Sequence, residues 1–374
     1  RLSIIDITDS GKQPIHKYNK TLVYNGEIYN YQEIKIQLQK YGYKFFSNTD
    51  TEVLIAAWDK WGEDTLKYIN GMYAFAIWDK SNKKLTLVRD PYGKKPLLYS
   101  INNNKIAFAS DLKSLEKITN CDEINPLAVE SLFKLRFIHD PLTIYKNVYK
   151  LQPGHIINIT KENVQSRKWY NLKNTLKVGT NKHLISKNIR DYFDAAVKRR
   201  LVSDVDLGVF LSGGLDSSLI VSSLAEQGYN LPCFTMGFAG ASNYYEERPQ
   251  AERLARYYGM EHHAFEISEN SLLKKLPEIF NASDEPFADT SALPFYMLSN
   301  EVSSKVKVVL SGDGGDEIFG GYRKHLGEKW SSVPYLIPKF IRNIIIKLLI
   351  ENKNTNYGEI SRRIRRYLMN ISKD

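Results

Sequence analysis

The stretch Leu211-Ser212-Gly213-Gly214-Leu215-Asp216-Ser217-Ser218 joins an apolar segment to a helical pattern that begins at Ser217. Two adjacent glycines allow a tight turn whose N–H groups point into one concavity, and the helix adds the positive end of its dipole. Serine hydroxyls add donors, so the stretch suits a pyrophosphate group. The chain lacks the nucleotide loop that ends in Gly-Lys-Ser or Gly-Lys-Thr. Asp216 instead suits a magnesium ion on phosphate oxygens, which favours cleavage of ATP between its α and β phosphates.

Strand and helix patterns alternate around this stretch. Such alternation is typical of a parallel, doubly wound sheet, in which ligands bind beyond the carboxyl ends of the strands. The predicted elements are a helix over Leu184 to Leu201, a strand over Leu207 to Leu211, a helix over Ser217 to Gln227, a strand over Cys233 to Gly237, a helix over Glu246 to Tyr258 and a strand over Val306 to Leu310.

A second glycine-rich loop, Ser311 to Glu317, follows the last of these strands. A loop that only packs against its neighbours would not need its acidic residues. Asp316 is therefore interpreted as a second magnesium carboxylate opposite Asp216, and Asp313 as a group that positions or deprotonates a nucleophile near the α-phosphorus.

The first loop resembles the signature of the PP-loop ATP pyrophosphatases, and both loops together resemble the synthetase domain of the glutamine-hydrolysing asparagine synthetases. The segments Asp284 to Asp289 and Gly259 to His263 resemble the bacterial form of that family. The resemblance implies that the backbone at Leu211 and Met236 flanks adenine. It implies that ATP is also bound by Ser212 to Ser218 together with Ser311 and Gly312. Asp216 and Asp316 would bind magnesium. Other members carry glutamate at Asp313. For Asp284, Glu285 and His262, structural roles and substrate contacts are equally open.

The amino-terminal half has a different sequence pattern, in which short runs of alternating apolar and polar residues are separated by turn residues. This pattern predicts an antiparallel, sheet-rich domain. Helical patterns over Tyr31 to Tyr41 and Asp50 to Trp61 are placed to cover the sheets. The predicted strands and turns are Thr21 to Tyr24, Gly71 to Asp79, Lys84 to Arg89, Leu97 to Ile101, Ile106 to Ser110 and His155 to Ile159, with hairpin turns at Asn82-Lys83 and Asn103-Asn104. Polar residues then predict a linker over 171–183 between domains 1–170 and 184–374.

The segment Asn25-Gly26-Glu27-Ile28-Tyr29-Asn30 resembles the glutamine-binding turn of amidotransferases with an N-terminal nucleophile. The Asn25 amide and the Gly26 N–H suit an oxyanion. Glu27 and Asp50 suit the ammonium and amide groups of glutamine, and Arg1 its carboxylate. An Asn-Gly pair alone predicts a hairpin turn. The spacing of these residues, together with the structural stretch from Arg89 to Leu97, favours the glutamine site.

In this family the nucleophile is a cysteine at the mature amino terminus, and its own α-amine is the base. Cys121 and Cys233 are the only cysteines of the chain, and neither is N-terminal or spaced for a disulfide framework or zinc. The chain opens inside an apolar pattern and closes inside a helical one, Ile360 to Leu368. We therefore expect a fragment that lacks both ends, cannot hydrolyse glutamine as it stands, and belongs to a protein that begins Met-Cys-Gly.

The 374 residues suffice for two domains, and 43% hydrophobic with 25% charged residues is ordinary for a soluble protein. The net charge of +10 lies mostly in the tail from Arg323 to Asp374, which holds twelve basic and four acidic residues. A basic tail without interleaved aromatic residues argues against nucleic acid. No apolar run approaches a membrane span. The expectations are a cytoplasmic protein without membrane or nucleic-acid partners, with the oligomeric state open and a homodimer as one option.

The predicted fold class is α/β with two domains, an incomplete Ntn-hydrolase αββα sandwich followed by a PP-loop ATP pyrophosphatase domain. The leading hypothesis is asparagine synthesis from glutamine, aspartate and ATP with Mg²⁺. Adenylation of aspartate releases pyrophosphate, and ammonia then attacks the adenylate. The alternatives are amidation of a cell-surface sugar carboxylate, tRNA modification by a PP-loop enzyme, and a non-catalytic scaffold.

Overall fold

The computed structural model describes residues 4–102, 105–119, 121–172, 181–240 and 246–322, together with residues 325, 328, 341 and 344. The chain forms two compact units, Arg1–Ser311 and Gly312–Asp374. Several predictions lie outside the described residues: the role of Arg1, the turn at Asn103-Asn104, most of the linker, the terminal helix and nearly all of the basic tail. Within the described part of the chain, no helix is both long and apolar enough to cross a membrane.

Antiparallel strands dominate the first half of the larger unit. They form a six-stranded sheet in the order β1-β2-β3-β4-β8-β9 and a three-stranded sheet in the order β6-β5-β7. The strands are β1 Ile15–Lys17, β2 Lys20–Ile28, β3 Gly71–Asp79, β4 Lys84–Arg89, β5 Leu98–Asn102, β6 Lys105–Ala109, β7 Val148–Lys150, β8 His155–Ile159 and β9 Val164–Lys168. The helices are α1 Tyr31–Lys40, α2 Asp50–Trp61, α3 Leu112–Thr119 and α4 Pro126–Leu135.

The central strand β3 shows how these sheets form a sandwich. Phe75 and Ile77 point to one face and pack in a core with residues of α1 and α2, while Ala74 and Ala76 point to the other face and pack in a core shared with the small sheet. On the outer face of the small sheet, α3 packs through Leu112 and Leu115 in a further core. The layers are therefore helix, sheet, sheet, helix, which confirms the predicted αββα sandwich.

The turn after β4 is held by the Arg89 side chain. Its guanidinium bonds to a carboxylate and several carbonyls, namely Asp140 and the carbonyl oxygens of Gly93, Lys95 and Leu151. The structural role expected for the stretch from Arg89 to Leu97 is therefore confirmed. The strands β1, β7 and β9 and the helices α3 and α4 are absent from the prediction, because they are short or weakly patterned.

The second half of the larger unit contains a four-stranded sheet in the order β12-β11-β10-β13, with every pair parallel. The doubly wound sheet is thus confirmed. Its elements are α5 Lys182–Arg199, β10 Leu207–Phe210, α6 Leu215–Glu226, β11 Cys233–Phe238, α7 Arg248–Tyr257, β12 His262–Ile267, α8 Glu269–Ala282, α9 Ala292–Val302 and β13 Val308–Leu310. The sequence did not predict β12, α8 or α9.

Helices cover both faces of this parallel sheet. Val197 of α5, Val221 of α6 and Ala251 of α7 share a core with Val209 and Leu310 of the sheet. A separate core contains Leu298 and Val302 of α9 with Phe234 of β11. The carboxyl ends of β10 and β13 lie side by side, since Val209 is opposite Leu310. The chain therefore leaves both strands at the same sheet edge.

Candidate active sites

The loop between β10 and α6 has the backbone of an anion site. Leu211 stays buried, and α6 begins at Leu215 rather than at the predicted Ser217, so the two glycines form the turn. The cap residue Gly214 has no side chain to close the first helical turn. N–H groups at such a helix start are open to an anion and lie at the positive end of the helix dipole. Phosphate binding here stays a prediction, and this geometry supports it.

Three serine hydroxyls hold the loop together. Ser217 is buried, accepts the Ser212 N–H at 3.1 Å and lies 2.9 Å from the Ser212 hydroxyl. The Ser218 hydroxyl donates to the Gly214 carbonyl at 2.6 Å. The sequence predicts these hydroxyls as phosphate donors. In the structure these hydroxyls bond inside the loop, and the Ser212 and Gly214 N–H groups donate to the Ser217 and Ser212 hydroxyls. The N–H groups of the first turn of α6 would therefore carry the larger share of any phosphate contact.

Gly213 is in close contact with the start of α7. A Cβ atom there would lie 2.4 Å from Gln250 Oε1, which real Cβ atoms essentially never show. The Gly213 N–H donates to the Glu247 carboxylate at 3.3 Å. A carboxylate oxygen thus sits where an anionic ligand would meet this N–H. Sequence reasoning missed Glu247, and the adjacent acids at the start of the predicted helix are the signal that could have found it.

Asp216 lies in the first turn of α6 and is half-buried. The helix dipole favours a carboxylate at this position. No cluster of three His, Cys, Asp or Glu side chains within the described part of the chain could hold a metal ion. Proteins commonly bind Mg²⁺ through one or two carboxylates plus substrate phosphates, and a single carboxylate beside an anion loop fits that pattern.

The groups predicted near adenine lie on two adjacent strand ends. The Leu211 N–H donates to the Phe234 carbonyl at 2.9 Å, so this N–H is already used within the sheet. The Thr235 hydroxyl donates to the Leu211 carbonyl at 2.6 Å and lies 2.8 Å from His262 Nε2. Because that hydroxyl proton goes to Leu211, His262 donates to Thr235. Burial lowers the His262 pKa, which favours this neutral ring. His262 therefore braces the strand ends, and Met236 is half-buried on β11.

In the smaller unit, a short helix, α10 Gly315–Phe319, follows the second loop. Gly314 precedes it with a φ of 92°, a left-handed conformation that favours glycine. Asp316 and Glu317 lie in its first turn. A Cβ atom at Gly321 would lie 2.0 Å from Asp316 Oδ1, so the returning backbone passes directly over that carboxylate. A magnesium role for Asp316 and the role of Asp313 stay predictions.

The second candidate site lies on β2. This strand runs on to Ile28, so Asn25, Gly26 and Glu27 are strand residues rather than the predicted turn after Tyr24. Their pairing with Ala74, Tyr73 and Met72 of β3 is the physical reason. A Cβ atom at Gly26 would lie only 2.2 Å from the Met72 carbonyl oxygen, so the pairing itself requires glycine.

The pleat of β2 directs the Gly26 N–H away from β3. The Tyr24 N–H donates to Gln13 Oε1 at 2.6 Å, and the Ile28 N–H donates to Asp50 Oδ2 at 3.0 Å. Both acceptors lie on the side of β2 opposite to β3. Because N–H directions repeat every second residue in an antiparallel strand, the Gly26 N–H points to the same side. It lies between two side-chain acceptors, where an oxyanion could approach.

Two buried carboxylates lie near this point. Asp50 accepts the Tyr24 hydroxyl at 2.8 Å in addition to the Ile28 N–H, and only 4% of it is exposed. Glu27 is 7% exposed, and its Oε1 has no hydrogen-bond partner among the described residues. Burial, with a contribution from Asp50, raises the pKa of Glu27 to about 7. A buried acceptor without a partner is costly, so this site favours a cationic or hydrogen-bond-donating ligand.

A cavity of about 870 Å³ lies between the two sheets beside this site. Asn25 lines it, and its amide donates to the Ser110 hydroxyl at 3.3 Å. Gln13 also lines the cavity, and its Nε2 is buried without an acceptor among the described residues. The sequence did not single out Gln13. The structure thus brings Asn25, Gly26, Glu27 and Asp50 to one end of the sandwich.

Neither cysteine is placed as a nucleophile. Cys233 is buried in β11, and burial raises its pKa to about 12. Cys121 is half-buried, and both thiols are free. A thiol with so high a pKa is not ionised near neutral pH, so Cys233 has a packing role.

The chain matches two families in sequence. Residues 1–170 match a glutamine amidotransferase domain, and residues 188–372 match asparagine synthase. A relative from Methanocaldococcus jannaschii, provisionally named glutamine-hydrolysing asparagine synthetase 2, is 36% identical, with 94% of this chain and 71% of the relative covered. The chain belongs to the glutamine-hydrolysing asparagine synthetase family.

Two further relatives of this chain differ in name and length. Glutamine-hydrolysing asparagine synthetase 1 of Bacillus subtilis is 38% identical over 86% of this chain and 51% of its own length. Amidase chry2 of Gibberella zeae is 32% identical over 86% of this chain and 50% of its own length. The chain therefore spans about half the length of these two curated relatives.

Proposed function

We propose that this asparagine synthetase family member makes asparagine from aspartate, ATP and glutamine. The aspartate β-carboxylate attacks the α-phosphorus of ATP, and pyrophosphate leaves. Ammonia released from glutamine then attacks the β-aspartyl carbonyl and expels AMP. The observation that carries this proposal is the presence, in one chain of this family, of the site on β2 and the anion loop before α6.

The site on β2 supports the glutamine half of the reaction. Attack on the glutamine amide creates an oxyanion, which the Asn25 amide and the Gly26 N–H would stabilise. Glu27 and Asp50 form an acidic, buried environment that would hold the ammonium group of glutamine. In this proposal Arg1 binds the glutamine carboxylate, and the family's amino-terminal cysteine is the nucleophile.

The loop before α6 supports the adenylating half. The backbone from Ser212 to Ser218 would hold pyrophosphate, with Ser311 and Gly312 contributing from the second loop. The strand ends at Leu211 and Met236 would flank adenine. Asp216 and Asp316 would hold magnesium, which supplies charge neutralisation on the leaving pyrophosphate. Asp313 would position or deprotonate a nucleophile.

The two halves correspond in this proposal to domains over residues 1–170 and 184–374, and the protein acts in the cytoplasm. The family matches to residues 1–170 and 188–372 support this division. The αββα sandwich and the parallel sheet each have separate hydrophobic cores, which supports it as well.

A pyrophosphate-release assay with the full-length protein tests the proposal. Release should require ATP, magnesium and aspartate together, with glutamine or ammonium as nitrogen donor. Omission of any one of the first three should abolish release. Pyrophosphate release with another carboxylate but not with aspartate would overturn the acceptor assignment.

A second acceptor class follows from the relatives. The 32% identical protein from Gibberella zeae is named an amidase rather than an asparagine synthetase. A member of this family that amidates a different carboxylate, such as that of a cell-surface sugar, would use the same two sites. A panel of carboxylates in the same assay, with aspartate as reference, separates the two functions.

A further inference from the structure

The segment from Asn281 to Asp289, here called the connecting segment, runs from the last turn of α8 toward α9 and binds the amidotransferase half. Its backbone and side chains bond to residues that lie far away in sequence. The partners are Leu112 and Lys113 of α3, the Arg136 carbonyl after α4, the Ile144 N–H and Lys150 of β7. The segment thus joins one helix pair of the parallel-sheet half to several elements of the sandwich.

Asp284 binds the start of α3. Its Oδ2 accepts the Leu112 N–H at 3.0 Å, while Asp111 of the chain before α3 accepts the Ser114 N–H at 2.8 Å. Carboxylates at a helix start satisfy open N–H groups and interact with the helix dipole. One of these two caps therefore comes from the other half of the protein.

Glu285 makes a two-sided contact. Its Oε1 accepts the Ile144 N–H at 2.8 Å, and its Oε2 lies 2.5 Å from Lys150 Nζ. The side chains of Glu285 and Lys150 are only 14% and 18% exposed. Lys150 also donates to the Ile138 carbonyl at 2.8 Å. A half-buried ion pair with further hydrogen bonds fixes geometry more firmly than an exposed pair.

The contacts of the connecting segment and the helix that follows it lead toward both candidate sites. On the sandwich side, Phe108, Ala109 and Ser110 line the cavity at Asn25 and run directly into the start of α3. On the other side, Phe295 of α9 packs edge to face on Phe210, with ring centroids 5.6 Å apart. Phe210 is the last residue of β10 before the anion loop. Packed side chains and a helix thus form a continuous path between the sites.

We propose that Glu285 and Asp284 are positioning residues that couple glutamine hydrolysis to adenylation. This inference rests on the proposed function. The connecting segment holds α3, and with it the cavity wall, in a fixed relation to α9 and the anion loop. Nucleotide binding that shifts α9 would then act on the wall of the amide site. In this proposal neither residue contacts substrate, and both have the structural one of the two roles that the sequence leaves open.

The test compares Glu285→Ala and Glu285→Gln with Glu278→Gln in the full-length protein. Glu278 is exposed on α8 and pairs only with half-buried Lys275 among the described contacts, so its change is a matched control. The readouts are glutamate formed per amide product, and pyrophosphate release with ammonium in place of glutamine. We expect the first ratio to rise at least about threefold in both Glu285 variants, with ammonium-supported release within about twofold of wild type.

Two results would overturn the inference. One is a glutamate-to-amide ratio equal to that of the Glu278→Gln control. The other is an equal fall of ammonium-supported and glutamine-supported release, because that pattern means a damaged fold. Asp284→Asn keeps the side-chain size and is a second variant, for which we expect the same rise in the glutamate-to-amide ratio and the same retained ammonium-supported release. Its melting temperature, compared with that of wild type, checks that the fold is intact.

Hydrogen exchange separates failure of this inference from failure of the proposed function. If wild type releases no pyrophosphate under any condition, the proposed function fails. Exchange of residues 105–119 can still be followed with and without Mg-ATP. The coupling predicts that nucleotide changes this exchange in wild type and in Glu278→Gln but not in Glu285→Ala. If Mg-ATP leaves the hydrogen exchange of residues 105–119 unchanged in wild type, the coupling is contradicted.

Discussion

The two candidate sites have opposite electrostatic character, since one is lined by carboxylates and the other by N–H groups at a helix start. At the site on β2, Glu27 of the strand and Asp50 of α2 are buried carboxylates, and burial raises the pKa of Glu27 to about 7. In the loop before α6, the proposed binding groups are backbone N–H groups at a helix start, in a partly exposed turn. The first arrangement suits an ammonium group and the second suits phosphate.

The sites also differ in what holds them. The site on β2 depends on long-range packing, since Asp50 reaches it from α2 and Ser110 from the end of β6. The loop before α6 depends mostly on bonds among its own Ser212, Gly214 and Ser217, with one bond from Gly213 to Glu247. Substitutions should therefore separate the two proposed activities, with stability effects that stay local in the loop and spread further at the site on β2.

The largest expected effect is on adenylation. Asp216→Ala should lower pyrophosphate release by more than about 100-fold, because it removes the carboxylate proposed to hold magnesium on the leaving group. Glutamine hydrolysis should stay within about twofold of wild type. Asp191→Ala, an exposed position on α5, is the control and should leave both activities unchanged. Equal loss of both activities in Asp216→Ala would argue against two separate sites.

Removal of the Asn25 amide, the proposed oxyanion donor, should impair glutamine hydrolysis and leave adenylation intact. Asn25→Ala should lower glutamine hydrolysis by about 100-fold, the usual cost of one lost donor, and spare ammonium-supported pyrophosphate release. Ser110→Ala, which removes only the acceptor of the Asn25 amide, should cost less, about threefold to tenfold. Steady-state glutaminase rates measure both. A larger effect from Ser110 than from Asn25 would contradict this assignment.

The pH dependence of glutamine binding follows from Glu27. With a pKa of about 7, its carboxylate is charged above pH 7 and neutral below it, so attraction of the glutamine ammonium fades as pH falls through 7. The KM for glutamine should rise below pH 7 by up to about tenfold per pH unit in wild type. In Glu27→Gln, KM should be high and nearly constant from pH 6 to 8. A wild-type KM that falls with decreasing pH is the opposite of this expectation.

The raised pKa of Glu27 also makes the unfolding free energy depend on pH, and the direction of this dependence can be predicted. The pKa of Glu27 is higher in the folded protein than its ordinary value of 4.5, so the folded state binds the proton more tightly. Unfolding free energy should therefore decrease as pH rises from about 4.5 to 7, and the penalty is complete above 7. Thermal unfolding should show Glu27→Gln gaining stability over wild type at pH 8 relative to pH 5. A gain that is larger at pH 5 would contradict the raised pKa.

The smallest effect concerns the serines of the loop. Ser217→Ala removes a buried hydroxyl that bonds to Ser212 and should lower the free energy of unfolding by about 1 to 2 kcal/mol, with a modest rise in KM for ATP. Ser218→Ala removes only a bond to the Gly214 carbonyl and should cost about 0.5 kcal/mol or less. Chemical denaturation measures both. A larger cost for Ser218 would mean that its hydroxyl, not the backbone frame, organises the loop.

Regular patterns made most of the fold predictable. The strands Gly71–Asp79, Lys84–Arg89 and His155–Ile159 and the helix Asp50–Trp61 have the predicted bounds, because short apolar runs and a helix cap at Thr49 mark them. The connecting segment and its helices were not predicted. The polar residues of that segment find partners far away in sequence, and local pattern carries no information on such pairs.

The candidate sites were predictable in residue type but not in geometry. The Asn25-Gly26 pair suggests a turn, yet pairing with β3 extends the strand through it. Likewise, the hydroxyls of Ser212 and Ser217 suggest phosphate donors, yet they bond to each other. In both cases a tertiary or loop-internal partner competes with the local preference, and sequence alone does not identify which partner wins.

The most direct test of a two-site enzyme follows one nitrogen atom. Full-length protein is incubated with ATP, magnesium, aspartate and glutamine labelled with ¹⁵N in its amide, and products are quantified by mass spectrometry. We predict labelled asparagine, AMP, pyrophosphate and glutamate in equal amounts. Glutamate without labelled asparagine, or labelled amide on another acceptor while ATP is consumed, would contradict the account.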